Sequence, residues 1–145
     1  MKLKNNAIIL FLIYFIVIYG ILTFLLLNSI ATPLISLWEF VIKNIFKETL
    51  NYAPFVFVPI CSGVISISIY ISIVFSSKIA FKKILDYTRV LEVVLFMWFI
   101  NLLRLVIVLG SEKISLEVAK TTHILSWFVV GVIILYLSLK TFKER

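Results

Sequence analysis

The sequence has few of the residues that hold metal ions, phosphates or disulfide bonds. Of its 145 residues, one is cysteine, one is histidine and four are glycine. A single cysteine excludes an internal disulfide, and one histidine with one cysteine gives no cluster with metal-ligand spacing. The glycines form no phosphate-binding loop, and we find no pair of carboxylates suited to acid–base catalysis. We therefore expect neither a metal nor another cofactor.

Charged residues are also scarce, and apolar residues are abundant. Charged side chains make up 14% of the sequence and hydrophobic residues 63%, whereas soluble domains contain about 45–50% apolar residues. The mean hydropathy of +1.17 points to a membrane protein. In a soluble protein the net charge of +7 would suggest nucleic acid. Here the basic residues lie mainly between apolar runs, so we expect membrane lipids and no nucleic acid as partners.

Four apolar runs are long enough to cross a bilayer, whose hydrocarbon core takes about 20 residues of helix. They are predicted at about residues 7–27, 54–76, 90–109 and 123–139. The first run is too long for the apolar part of a signal peptide, which is usually about 7–15 residues. The sequence therefore predicts an all-α, polytopic membrane protein, with a bundle of four transmembrane helices in one domain over residues 1–145.

A fifth helix is predicted between the first and second spans, at about residues 33–50. Thr32 and Pro33 are typical of a helix start, with a hydroxyl cap followed by proline. Apolar residues then recur at helical spacing, and charged residues such as Glu39 and Lys43 occupy the other side. This pattern predicts an amphipathic helix at the extracytoplasmic membrane interface. Such a helix would either pack on the protein's own outer face or form a lid or docking shelf for a substrate.

The distribution of charge predicts the orientation of the four spans. Basic residues exceed acidic ones in the N-terminal segment, in the connector at about 78–89 and in the C-terminal tail, and the other two connectors are balanced. Because cytoplasmic segments of membrane proteins carry the excess of lysine and arginine, we expect both termini in the cytoplasm.

With this orientation, the single cysteine, the single histidine and an intramembrane arginine share the outer leaflet. Cys61 lies ~10 Å below the outer surface and Arg104 ~8 Å below it, at the helical rise of 1.5 Å per residue. His123 is expected at the outer start of the fourth span. Asn101 precedes Arg104 by three residues, so both lie on one face of the third span and Asn101 could orient the guanidinium.

These residue types suit cysteine-based acyl transfer. The reactive form of cysteine is the thiolate, which nearby cations favour. Arg104 could stabilise the thiolate or the oxyanion of a tetrahedral intermediate. His123 could take the thiol proton and later deliver a proton to the leaving amine. The predicted chemistry is cleavage of a peptide bond at the outer face of the membrane.

Each of the four residues also has an ordinary structural role open to it. Cys61 could be a small buried hydrophobe, and His123 an anchor at the membrane interface. Arg104 could extend toward water along the lipid-facing surface, and Asn101 could form a hydrogen bond between helices.

The same residues resemble the exosortase/archaeosortase family of membrane proteins. That family has Cys-[Ser/Thr]-Gly in one transmembrane helix, Asn-x-x-Arg in the next and a histidine at the start of a later one. The matches here are Cys61-Ser62-Gly63, Asn101-Leu102-Leu103-Arg104 and His123. They cover roughly residues 54–139, in a chain that would be a compact member of the family.

The resemblance implies a cysteine protease or transpeptidase of the cell membrane, with its active site toward the extracytoplasmic side. Cys61 would be the nucleophile, Arg104 the stabilising cation and His123 the general acid and base, with Ser62, Gly63 and Asn101 in support. The implied substrates are secreted proteins that end in a short motif, a transmembrane helix and a basic tail. An acyl-enzyme on Cys61 would be resolved by water or by a lipid amine that anchors the product.

Two other functions remain compatible with the sequence. A non-enzymatic assembly or scaffold subunit could use Arg104 to pair with an acidic residue in a partner's membrane helix. A small transporter would need polar residues through both leaflets, and the inner leaflet offers little beyond Glu92.

Overall fold

The computed structural model describes residues 2–45 and 62–142, which form five α-helices. Within these ranges there is no β-strand, only an isolated antiparallel bridge between Leu85 and Phe142. The helices are α1 (Lys2–Ser29), α2 (Ala31–Ile45), α3 (Val64–Phe81), α4 (Tyr87–Glu112) and α5 (Leu116–Lys140).

Four of the five helices are long and apolar enough to cross a membrane: α1 from Asn6 onward, α3, α4 and α5. The described residues confirm the predicted all-helical architecture and contain four helices with the length and composition of membrane spans, which supports a multi-pass membrane protein. The remaining helix, α2, has 15 residues and carries Glu39 and Lys43 in an ion pair 2.7 Å long on its exposed side.

Helix α3 occupies the centre of the bundle. One of its faces contributes Ile67, Tyr70 and Val74 to a core that α4 and α5 complete with Val93, Met97, Val130 and Ile134. The opposite side carries a row of fully buried serines, Ser68, Ser72 and Ser76. We infer that α1 covers this row, because α1 is the helix that α3 contacts most extensively. Small side chains allow the close approach of two membrane helices.

Polar contacts join α3, α4 and α5 near the start of α4 and the end of α5. Tyr70 Oη and Thr141 Oγ1 are 2.7 Å apart and buried. The backbone N–H of Asp86 donates to the carbonyl oxygen of Thr141 at 3.3 Å. Next to it, the Leu85–Phe142 bridge joins the α3–α4 connector to the end of α5.

Helix α3 begins at Val64 and ends at Phe81, whereas the second span is predicted at about residues 54–76. A helix from residue 54 would run through Gly63, but Gly63 has φ of +87° and the helix starts at Val64. Ser76 and Ser77, expected near its end, are buried inside the helix, which continues to Phe81. Lys82 ends it in a left-handed conformation with φ of 52°. Residues 46–61, including Cys61, lie outside the described residues.

The fourth span begins earlier than predicted, so that His123 lies inside a helix. Gly110 and Ser111 do not end α4, because both are tolerated within membrane helices, and the helix continues to Glu112. Ser115 caps α5 by accepting a hydrogen bond from Val118 N at 3.1 Å. His123 is therefore ~10 Å from the start of α5 at 1.5 Å per residue.

Helix α2 packs against α4 through its apolar face. Trp38 and Ile42 form a buried cluster with Leu105 and Leu109, and the rings of Trp38 and Trp98 have centroids 4.7 Å apart. The helix begins at Ala31, two residues before the predicted start, because proline is tolerated in a first helical turn. The described part of α2 thus packs on the protein's own surface, as one of its two interpretations predicts. Residues 46–50 of the predicted helix lie outside the described residues.

Candidate functional site

Gly63 joins the Cys-Ser-Gly segment to Asn101 on α4. A Cβ added to Gly63 would lie 3.0 Å from both Asn101 Cβ and Asn101 Cγ, and 3.1 Å from Asn101 Nδ2. With φ of +87°, the backbone also adopts a conformation that side chains disfavour. Both the backbone conformation and the limited space therefore require glycine at this position. The contact also brings together two of the three sequence motifs, the one that contains Gly63 and the one that contains Asn101.

Ser62 shapes the same turn from within. Its side chain is fully buried, and its Oγ accepts a hydrogen bond from the backbone N–H of Val64 at 3.3 Å. The first N–H groups of a helix have no carbonyl partner within the helix. The Ser62 side chain supplies an acceptor for one of them. Cys61, the predicted nucleophile, comes directly before this turn in the sequence and lies outside the described residues.

The Gly63 contact makes a sharp prediction for Gly63→Ala. A Cβ at 3.0 Å from Asn101 must displace a buried neighbour, and the positive φ adds strain of about 1–3 kcal/mol. We expect the free energy of unfolding in detergent to fall by at least that amount. The matched control is Gly131→Ala in α5, where an added Cβ meets nothing within 4 Å. Equal stability of the two variants would contradict the contact.

Asn101 and Arg104 lie one turn apart on α4, and both are buried, with exposed fractions of 3% and 4%. Arg104 therefore does not extend to the lipid-facing surface, which was one alternative for it. Its guanidinium Cζ lies 4.1 Å from the ring centroid of Trp127 on α5. A desolvated cation–π contact contributes about 2 kcal/mol or more, which offsets much of the ~3 kcal/mol that an arginine costs within a span.

His123 is held by the same tryptophan. The two rings are perpendicular, at 83°, with centroids 6.4 Å apart, and Trp127 Nε1 donates a hydrogen bond to His123 Nε2 at 3.3 Å. Trp127 thus contacts Arg104 with its ring face and His123 with its N–H. Sequence reasoning missed Trp127, although residues four apart on a helix share a face and the spacing from His123 could have indicated it.

A groove of about 330 Å³ opens between α4 and α5 beside this cluster. Arg104, Thr122 and Ser126 supply its polar lining, and all other lining residues are leucine, isoleucine or valine. The groove is therefore almost entirely apolar, and the guanidinium nitrogens of Arg104 are buried beside it.

Glu92 is remote from the cluster. It lies near the start of α4 and is 3.4 Å from Arg89, with both side chains about half exposed. Among residues 2–45 and 62–142, no three histidine, cysteine or acidic residues are grouped so that they could hold a metal ion.

The structure thus brings the described site residues together in two contacts, Gly63 with Asn101 and Arg104 with His123 through Trp127. No family model matches the sequence, and comparisons with curated proteins and with solved structures also return no match. Function must therefore be argued from the residues and their geometry.

Proposed function

We propose that this protein is a membrane cysteine protease or transpeptidase of the exosortase/archaeosortase type. The observation that carries the proposal is the contact of Gly63 with Asn101. It brings the turn that follows Cys61 to the helix that carries Arg104, and Trp127 joins Arg104 to His123. These contacts link residues of three motifs that are far apart in the sequence, which supports the proposal.

The proposed reaction begins when the thiol of Cys61 gives its proton to His123, and the guanidinium of Arg104 stabilises the resulting thiolate. The sulfur attacks the carbonyl carbon of the scissile peptide bond, and the electron pair of the C=O bond moves to the oxygen. Arg104, already buried and pre-oriented on Trp127, supplies charge for this oxyanion. When the intermediate collapses, the C–N bond breaks, and His123 donates a proton to the departing amine.

The acyl group then remains on Cys61 as a thioester. Water or a lipid amine attacks the thioester carbon and gives up a proton to His123. The sulfur departs as the thiolate and takes that proton back, which restores the neutral imidazole. Proposed substrates are secreted proteins with a C-terminal motif, one transmembrane helix and a basic tail. We expect the transmembrane helix of a substrate to bind along the apolar groove between α4 and α5, next to Arg104.

We also propose an orientation for the protein in the cell membrane. Both termini lie in the cytoplasm, which puts the Lys82, Lys83 and Arg89 connector on the side where basic residues are favoured. The candidate site then faces the extracytoplasmic side. Helix α2 lies at that interface, with its charged side toward water.

The reactivity of Cys61 tests this function before any substrate is known. The chain has one cysteine, so the label that a membrane-permeant thiol reagent leaves on this protein, once purified from the treated membranes, reports on Cys61 alone. We expect rapid labelling near neutral pH and a rate about tenfold lower in Arg104→Ala, because the variant loses the cation that favours the thiolate. The matched control is Arg89→Ala, which removes an exposed arginine from the other end of α4.

Equal labelling rates in the wild type, Arg104→Ala and Arg89→Ala would remove the support for an activated thiol. The scaffold function would then be favoured, with Arg104 in the α4–α5 groove pairing with an acidic residue of a partner helix.

A further inference from the structure

Trp127 uses two different parts of its indole on two neighbours that the proposed reaction employs. The ring face lies 4.1 Å from the guanidinium carbon of Arg104. The Nε1–H, at the ring edge, donates to Nε2 of His123 at 3.3 Å. The indole N–H is a donor only, so the direction of this hydrogen bond is fixed by the chemistry of tryptophan.

This direction determines where His123 can carry its proton. A neutral imidazole has one N–H and one acceptor nitrogen, and the partner of one nitrogen sets the state of the other. Because Nε2 accepts from Trp127, the proton of neutral His123 must lie on Nδ1. A doubly protonated imidazole would instead point an N–H at the indole N–H, with no acceptor between them.

The charge of Arg104 acts in the same direction. Its guanidinium remains protonated even in a poorly solvated site, and it lies over the face of the same indole. A positive charge on His123 would therefore lie close to a second cation, because both groups contact the same ring. The hydrogen bond and the guanidinium both favour a neutral imidazole.

We propose that Trp127 is a positioning residue that holds resting His123 neutral, with its proton on Nδ1, and fixes the imidazole relative to Arg104. The role of Trp127 in catalysis rests on the proposed function. In the resting protein Arg104 is then the cation that favours the Cys61 thiolate, because His123 carries no positive charge. His123 accepts a proton at Nε2 only after Trp127 releases that nitrogen, so proton transfer waits for the indole to move.

The two roles of Trp127 can be separated by substitution. Trp127→Phe keeps an aromatic face for Arg104 and removes the N–H donor, whereas Trp127→Leu removes both. If a substrate is processed, we expect Trp127→Phe to slow processing by about tenfold or more, since positioned proton transfer is typically worth ~10²–10⁴-fold. Alkylation of Cys61 should stay fast in Trp127→Phe and slow down in Trp127→Leu. A purely structural role would change both rates together.

The tautomer can be measured without any substrate. The chain has one histidine, so ¹⁵N NMR of histidine-labelled protein in lipid nanodiscs detects a single imidazole. For the wild type at a pH where His123 is neutral, we expect a protonated Nδ1 and an unprotonated Nε2. In Trp127→Phe, we expect the population of the Nδ1–H tautomer to fall, so that it is no longer the major form.

A wild-type imidazole protonated on Nε2, or a tautomer ratio unchanged in Trp127→Phe, would overturn the inference whatever the protein does. The expected tautomer together with ordinary Cys61 reactivity would instead support the Trp127 contact and count against the protease function. The two proposals therefore fail separately.

Discussion

A variant with Cys61→Ala should release no C-terminal fragment from a substrate that the wild-type protein cleaves completely. Without Sγ no thioester can form, and loss of a covalent nucleophile typically costs about 10⁴-fold or more in rate. The measurement uses a secreted reporter with a C-terminal sorting signal and a tag at each end, co-expressed with the protein. Immunoblotting for both tags follows cleavage.

Cys61→Ser serves as the near-isosteric control for this experiment. It keeps the size of the side chain but replaces the thiol with a far less acidic hydroxyl, so it should fail as the alanine variant does. Protein abundance in the membrane must be equal in all three samples. Complete processing by Cys61→Ala would exclude the covalent route, and purification of a partner that Arg104→Ala releases would then establish a scaffold.

Arg104→Ala should slow the same processing by about 10²-fold or more. A donor directed at a developing oxyanion is commonly worth ~10²–10³-fold, and Arg104 would also lose its stabilisation of the thiolate. Arg104→Lys keeps the positive charge but not the planar group that stacks on Trp127. We expect lysine to restore part of the lost rate, because charge and stacking contribute separately.

The matched control for Arg104 is Arg89→Ala on the same helix. Arg89 is about half exposed and contacts only Glu92 among the described ion pairs, so its loss should leave processing unchanged. Because Arg104 is buried, the stability of its alanine variant in detergent must be compared with the wild type. A folded Arg104→Ala that processes substrate as fast as Arg89→Ala would rule out a catalytic part for this arginine.

The number of spans could be predicted from the sequence because bilayer thickness sets a length that apolar runs must reach. The ends of these helices could not be predicted as well. Gly63 interrupts its run because Asn101, from another helix, occupies the space of a side chain. Ser76 continues α3 because it is buried against neighbouring helices. Contacts between helices therefore decide where a helix begins and ends, and they are absent from local patterns.

In the candidate site, too, contacts within one helix could be predicted from the sequence, and contacts between helices could not. The spacing of His123 and Trp127 is visible in the sequence, since both lie on one face of α5. The stacking of Arg104 on Trp127 depends on how α4 and α5 are rotated about their own axes. Likewise, nothing in the local pattern of α2 indicates that Trp38 meets Trp98. Helical rotation is determined by packing against neighbouring helices.

The buried contact between Tyr70 and Thr141 attaches α3 to the end of α5. Helix α3 carries the Gly63 turn, and the hairpin of α4 and α5 carries Arg104 and His123. Tyr70 lies seven residues after Gly63, ~10 Å along the helix at 1.5 Å per residue. Two contacts on one side of α3, Tyr70 with Thr141 and Gly63 with Asn101, therefore hold it against the hairpin. The alignment of the two halves of the site thus depends in part on a hydrogen bond that lies outside the site.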